Sequence, residues 1–107
     1  MSTAPSPGTR VIEDTDTKLE PPYHLILLDD DSHTYQYVIA MLNAVFGYAP
    51  DKGFAIACMV DNAGQAIVMT ASHDEVSLKQ QLIHSYGADP LMQNSAGSMS
   101  AIIEQAA

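Results

Sequence analysis

Residues 23–48 read YHLILLDDDSHTYQYVIAMLNAVFGY, and the reading of this stretch decides the fold. Tyr23 to Leu28 is a short apolar run stopped by Asp29, Asp30 and Asp31, a length and flank that predict a strand. At Thr34 the period changes. Tyr35, Val38, Ile39, Leu42, Val45 and Phe46 recur at three- and four-residue spacing, the apolar stripe of an amphipathic helix. Thr34 offers a hydroxyl to cap its start, and Gly47 stands where the helix has to end.

Outward from this unit, Pro50 and Asp51 open a second helix, with the ring at a first-turn position and the acid favourable to the helix dipole. Phe54, Ala57 and Val60 are expected on its inner face. Gly64 punctuates, and Ala66 to Thr70 reads as a second strand. Ser72 and Glu75 form a capping box for a third helix, with Val76, Leu82, Ile83 and Tyr86 as its buried side and Gly87 as its stop. Asp89-Pro90 begins an irregular stretch, and Met99 to Ile103 is the expected last strand. The order β-α-α-β-α-β predicts an α+β fold, a two-layer sandwich in which a three-stranded antiparallel sheet packs against three helices. Residues 22–107 are the expected core domain. Residues 1–21 mix Ser, Thr, Pro, Gly and acids with few large apolar side chains, too little burial to offset ordering entropy, and are expected to be a mobile tail.

Thirteen acids against 4 Lys plus Arg give a net charge of -9, the wrong sign for binding phosphate backbones or anionic membranes, so a cationic partner group fits better. A single cysteine, Cys58, excludes an internal disulfide and fits a reducing compartment; in the run AIACMV it is expected to be a buried packing residue. The chain shows neither a signal peptide nor an apolar run of membrane-spanning length, and a cytoplasmic location is expected. There is no glycine-rich phosphate loop and no nucleophile paired with a base, so no enzyme class is supported and no cofactor is expected.

Asp29, Asp30 and Asp31 are the feature that asks for chemistry, because adjacent carboxylates repel one another. One reading is a divalent-metal or receiver-like signalling site, since hard cations favour clustered oxygens. The receiver analogy is weakened by Asp61, which falls at a predicted helix end, and by Lys79, which falls in the third helix. The other reading is an ammonium site. An α-amino group offers three N–H donors and a charge that is costly to bury unpaired, and converging oxygens satisfy it. His24 and His33 have no second histidine at metal-ligand spacing and are expected to be exposed.

From about Pro22 to Gln105 the sequence resembles the ClpS adaptors. The resemblance rests on YHLILLDDDSHTYQYVIAMLNAVFGY, on the continuation PDKGFAIACMVDNAGQAIV with its turn glycine Gly64, and on the terminal SMSAIIEQA. It implies a non-enzymatic adaptor that binds proteins by a bulky hydrophobic N-terminal residue, an N-degron, and delivers them to a ClpA- or ClpC-like AAA+ unfoldase of the Clp protease. In that family an Asn, an Asp and a His contact the peptide's α-amino group. Here Asp30 is retained, Asp29 replaces the Asn and Asp61 replaces the His. The resemblance places the pocket for the first side chain at Ser32, His33, Tyr35, Val38, Ala57, Val60 and Met99. Tyr35 stands where relatives often carry a gating Met, and Ala57 where a larger Met is common. An aliphatic first residue, Leu foremost, is the expected preference. Asp74 and Lys79 match the positions with which relatives dock on the unfoldase.

Overall fold

The computed structural model describes residues 21–106. The chain forms β1 (Tyr23–Leu28), α1 (Tyr35–Phe46), α2 (Pro50–Ala63), β2 (Gln65–Ala71), α3 (His73–His84) and β3 (Ala101–Gln105). β1 lies at the centre of one sheet of order β2-β1-β3, antiparallel to both neighbours. This is the α+β sandwich that the alternation of strand and helix signals predicts. Residues 1–20, most of the expected tail, lie outside the described residues.

A central strand has both backbone edges paired, so the run LILL can be buried where an edge strand could not. Leu25 and Leu27 join Ala66, Val68 and Ala101 beneath the helices. On the uncovered face Ile26 sits between its cross-strand partners Ile67 and Ile102, which remain partly exposed. The register slips between Leu25 and Ile26, so Val68 has no partner on β1. The Val68 carbonyl at this bulge accepts a 2.7 Å hydrogen bond from the Tyr48 hydroxyl. Leu25, Leu27, Met41, Leu42, Val76 and Ile83 are fully buried, each contributing about 1.5–3 kcal/mol by leaving water.

Local signals set the helix ends. Thr34 Oγ1 accepts from the Tyr37 N–H, and Gly47 takes a left-handed φ of 75° at the other end of α1. Pro50 opens α2, and Gly64 closes it at φ 84°. Both bonds of the Ser72–Glu75 capping box are made at the start of α3. The two first helices touch at Gly53, where a Cβ would lie 3.2 Å from Ile39 Cα. That approach rotates α2 so that Gly53, Ile56, Ala57 and Val60 face inward.

Several details differ from the sequence reading, each for a packing reason. Phe54 is 51% exposed, one position off the inward stripe, and leans on the Tyr35 ring at 5.7 Å. Cys58, on the same flank, is only partly buried. In α3, Val76 and Ile83 are buried but Leu82 is exposed, as is Tyr86 just past the helix end. The intervening inner positions belong to Lys79 and Gln80, whose long arms reach the carbonyls of Val45 and Ala101, both at 2.8 Å. With Ile83 the inward stripe is complete, and α3 ends at His84 with Ser85 as its cap rather than at Gly87. β3 starts at Ala101 because Met99 is turned into the core instead of the ladder. Among the described residues no helix is long and apolar enough to cross a membrane.

Candidate functional site

β1, α1 and α2 meet at one end of the sandwich. The Asp29 N–H bonds the Gly64 carbonyl at 3.0 Å, tying the end of β1 to the cap of α2. The Leu28 N–H bonds the Ser100 carbonyl at 3.0 Å, bringing in the segment before β3. The first turns of α1 and the last turns of α2 then face each other across a cavity of about 60 Å³. Its walls are Val38, Ala57, Val60 and Met99, all buried, and its rim is Asp29, Asp30, His33, Tyr35 and Asp61.

The fold thus gathers every residue singled out for the amine and side-chain sites except Ser32. Ser32 is not in the lining; its N–H and hydroxyl donate to Asp30 Oδ1 at 2.9 and 3.1 Å. Asp74 and Lys79 lie apart from this cavity. Asp74 borders a wider depression with Pro21, Tyr23 and His73, and Lys79 Nζ donates to the Val45 carbonyl at the end of α1 while lying over the Phe46 ring. A second wide depression, lined by Tyr37, Ala40, Tyr86 and Leu91 among others, has one carboxylate, Asp89. Of these three hollows among the described residues, the small cavity alone pairs a buried apolar floor with several carboxylates at its mouth.

Two of the rim carboxylates, Asp30 and Asp61, are held by resident donors. His33 Nδ1 lies 2.7 Å from Asp30 Oδ1. Burial pushes the Asp30 carboxyl up, but the His33 and Ser32 hydrogen bonds outweigh it and hold the group below its ordinary value. Tyr35 Oη donates to Asp61 Oδ2 at 2.7 Å across the mouth. The phenol is pushed up to about 12, chiefly because ionising it would lose that bond beside a carboxylate. Among the described residues no three His, Cys, Asp or Glu side chains stand close enough to share a metal ion, so the geometry offers the metal reading no cage.

His33 departs from the expected exposed residue: its side chain is 3% exposed, and Nε2 lies 2.8 Å from the Gly97 carbonyl. Asp89 was legible only as the start of an irregular stretch. It is 2% exposed and accepts from the Thr34 N–H at 2.6 Å, the Thr34 hydroxyl at 2.8 Å and the Leu91 N–H at 2.8 Å. It therefore satisfies the first turn of α1 from across the chain. Burial raises its carboxyl, and these donors together with the His33 charge bring it below its ordinary value. No local signal marks such a role, because Asp before Pro reads as a turn wherever it occurs.

Comparison with known proteins agrees with this architecture. The family model described as ATP-dependent Clp protease adaptor protein ClpS matches residues 18–93. The ATP-dependent Clp protease adapter protein ClpS of Streptomyces coelicolor is 30% identical over 66 residues, 62% of this chain and 69% of that one. Its namesake in Streptomyces avermitilis is 30% identical over 91 residues, 79% of this chain and 87% of that one. The structure of Agrobacterium tumefaciens ClpS2 bound to L-phenylalaninamide superposes with a TM-score of 0.70 at 22% identity, covering 81% of this chain and 99% of that one, a likeness of fold. A fold whose strand, cap and turn signals were legible one by one and a family match over most of its length lead to the same conclusion: the chain belongs to the ClpS family of Clp protease adaptors, which are adaptor proteins and not enzymes.

Proposed function

We propose that this adaptor binds proteins by a free N-terminal α-amino group and a hydrophobic first side chain, and passes them to a ClpA- or ClpC-like unfoldase of the Clp protease in the cytoplasm. In this reading residues 22–107 are the adaptor core and residues 1–21 an extension of it. The observation that carries the reading is the acidic rim over an apolar floor in a single cavity. Asp29, Asp30 and Asp61 supply acceptors for the three N–H bonds of an ammonium group, whose burial would otherwise be costly. Val38, Ala57, Val60 and Met99 receive the side chain, with Tyr35 and His33 at its edge. The small volume and the tethered Tyr35 ring favour an aliphatic first residue such as Leu. L-phenylalaninamide, bound in the Agrobacterium tumefaciens ClpS2 structure, likewise joins a free amine to an apolar side chain. Asp74 and Lys79 on α3 are the proposed docking residues for the unfoldase, and nucleic acid and membrane are not partners.

The test is fluorescence anisotropy with a labelled peptide bearing N-terminal Leu and with its N-acetylated twin. The free-amine peptide binds and the acetylated one does not; Asp30→Ala weakens the former by about tenfold or more, the loss of one charge-assisted bond. Equal binding of both peptides would refute the ammonium site.

A further inference from the structure

Building on the amine-binding reading above, we propose that His33 is the positioning residue of the site, one side chain that sets the Asp30 carboxylate and the Met99 wall together. The ring is nearly buried, with Nδ1 2.7 Å from Asp30 Oδ1 and Nε2 2.8 Å from the Gly97 carbonyl. An ionised carboxylate and a carbonyl only accept, so a ring that makes both bonds at once donates from each nitrogen. Tyr37 packs against it at 4.5 Å between ring centroids, and Asp89 lies on the backbone N–H of the next residue, Thr34. Asp30, Asp89 and Tyr37 are the ionisable groups that face the ring. Two hydroxyls, Ser32 Oγ at 3.3 Å and Ser95 Oγ at 3.4 Å, flank its nitrogens at longer range.

On one side, His33 and Ser32 both take Asp30 Oδ1, which leaves Oδ2 as the oxygen open to a ligand's N–H. On the other, Gly97 stands two residues before Met99, a buried wall of the cavity. The segment between Asp89 and Met99 has neither helix nor strand to hold it. Its end, with Gly97, lies past residue 93, where the family match stops. Losing the imidazole leaves the carboxylate to the two Ser32 bonds alone and leaves a carbonyl without its donor, disturbing the amine acceptor and the apolar wall in one step.

His33→Phe keeps a ring against Tyr37 without either N–H, and it is compared with the intact chain by NMR in the absence of peptide. The Asp30 carboxyl then titrates at higher pH than in the wild type, and the Met99 methyl resonance moves. Affinity for the free-amine Leu peptide falls about tenfold, as for loss of a positioned charge-assisted acceptor. A folded His33→Phe in which either the Asp30 titration or the Met99 methyl is unchanged overturns the coupling. If that variant does not fold, the wild type decides: the Asp30 carboxyl carbon and the Met99 methyl both follow the titration of the His33 ring, and failure of either to do so overturns the proposal. Failure of the wild type to bind any peptide counts against the amine reading, while the peptide-free titrations still judge the positioning role.

Discussion

Gly53→Ala tests the contact that builds both walls of the cavity. In an isolated helix the exchange is favourable, since Ala exceeds Gly by about 0.8–1.0 kcal/mol in a helix interior. Here the new methyl lies 3.2 Å from Ile39 Cα and 3.5 Å from its Cγ1. A flexible side-chain tip could move aside, but the Cα of a facing helix yields only if α1 and α2 separate. Forcing a methyl group into such a contact costs about 1–3 kcal/mol, so the two terms leave a net loss centred near 1 kcal/mol. For a domain of this size that lowers Tm by about 4–8 °C. The separation also lengthens the 2.7 Å Tyr35–Asp61 bond, which spans the same two helices. Urea denaturation of the two proteins at one pH measures the effect. If Gly53→Ala is more stable than the wild type by about the propensity gain alone, the close approach is refuted.

Acid should destabilise the fold through Asp30 and Asp89. Both folded-state carboxyls lie below their ordinary values, so their contribution is complete above the unfolded value of 3.8 and is lost as pH falls through the folded ones. Denaturation at a series of pH values should show a flatter acid limb in Asp89→Asn than in the wild type. Spectroscopic titration of the tyrosines should find Tyr35 ionising near 12, and Asp61→Asn should bring it down towards the ordinary phenol value of 10.0. Lys79→Ala removes a hydrogen bond to the last turn of α1 and should cost about 1 kcal/mol by denaturation even with no unfoldase present.

The fold was legible where a residue acts on its own neighbours. Thr34, Gly47, Pro50, Gly64 and the Ser72–Glu75 box each set an element end through bonds or backbone angles that reach no further than a few residues. The face of each helix was less legible, because it is chosen by what lies opposite. Gly53 carries no apolar signal, yet it marks the inward stripe of α2 and puts Phe54 outside. Lys79 and Gln80 look like solvated positions, yet they occupy the inner side of α3 because their ends find backbone carbonyls. In the candidate site, the aspartates stood out in the sequence itself, while the apolar walls were singled out through the family resemblance. The bonds of His33 to Gly97 and of Asp89 to Thr34 join residues more than fifty positions apart, and no periodicity encodes them.

The acid-rich rim raises a physical difficulty that the same geometry resolves. Three carboxylates around one small cavity repel one another, a cost that neutral side chains at positions 29 and 61 would not carry. The chain does not leave them bare. Tyr35 donates to one oxygen of Asp61, while Ser32 and His33 donate to one oxygen of Asp30, and Asp29 stays exposed to water. Each of the two tethered carboxylates thereby keeps one oxygen satisfied and one free. Tyr35 then has a role that an apolar side chain could not fill, because its hydroxyl has a hydrogen to donate to Asp61. Tyr35 and Asp61 thus constrain each other: the tyrosine makes the second acid tolerable, and the acid fixes the tyrosine at the edge of the apolar pocket.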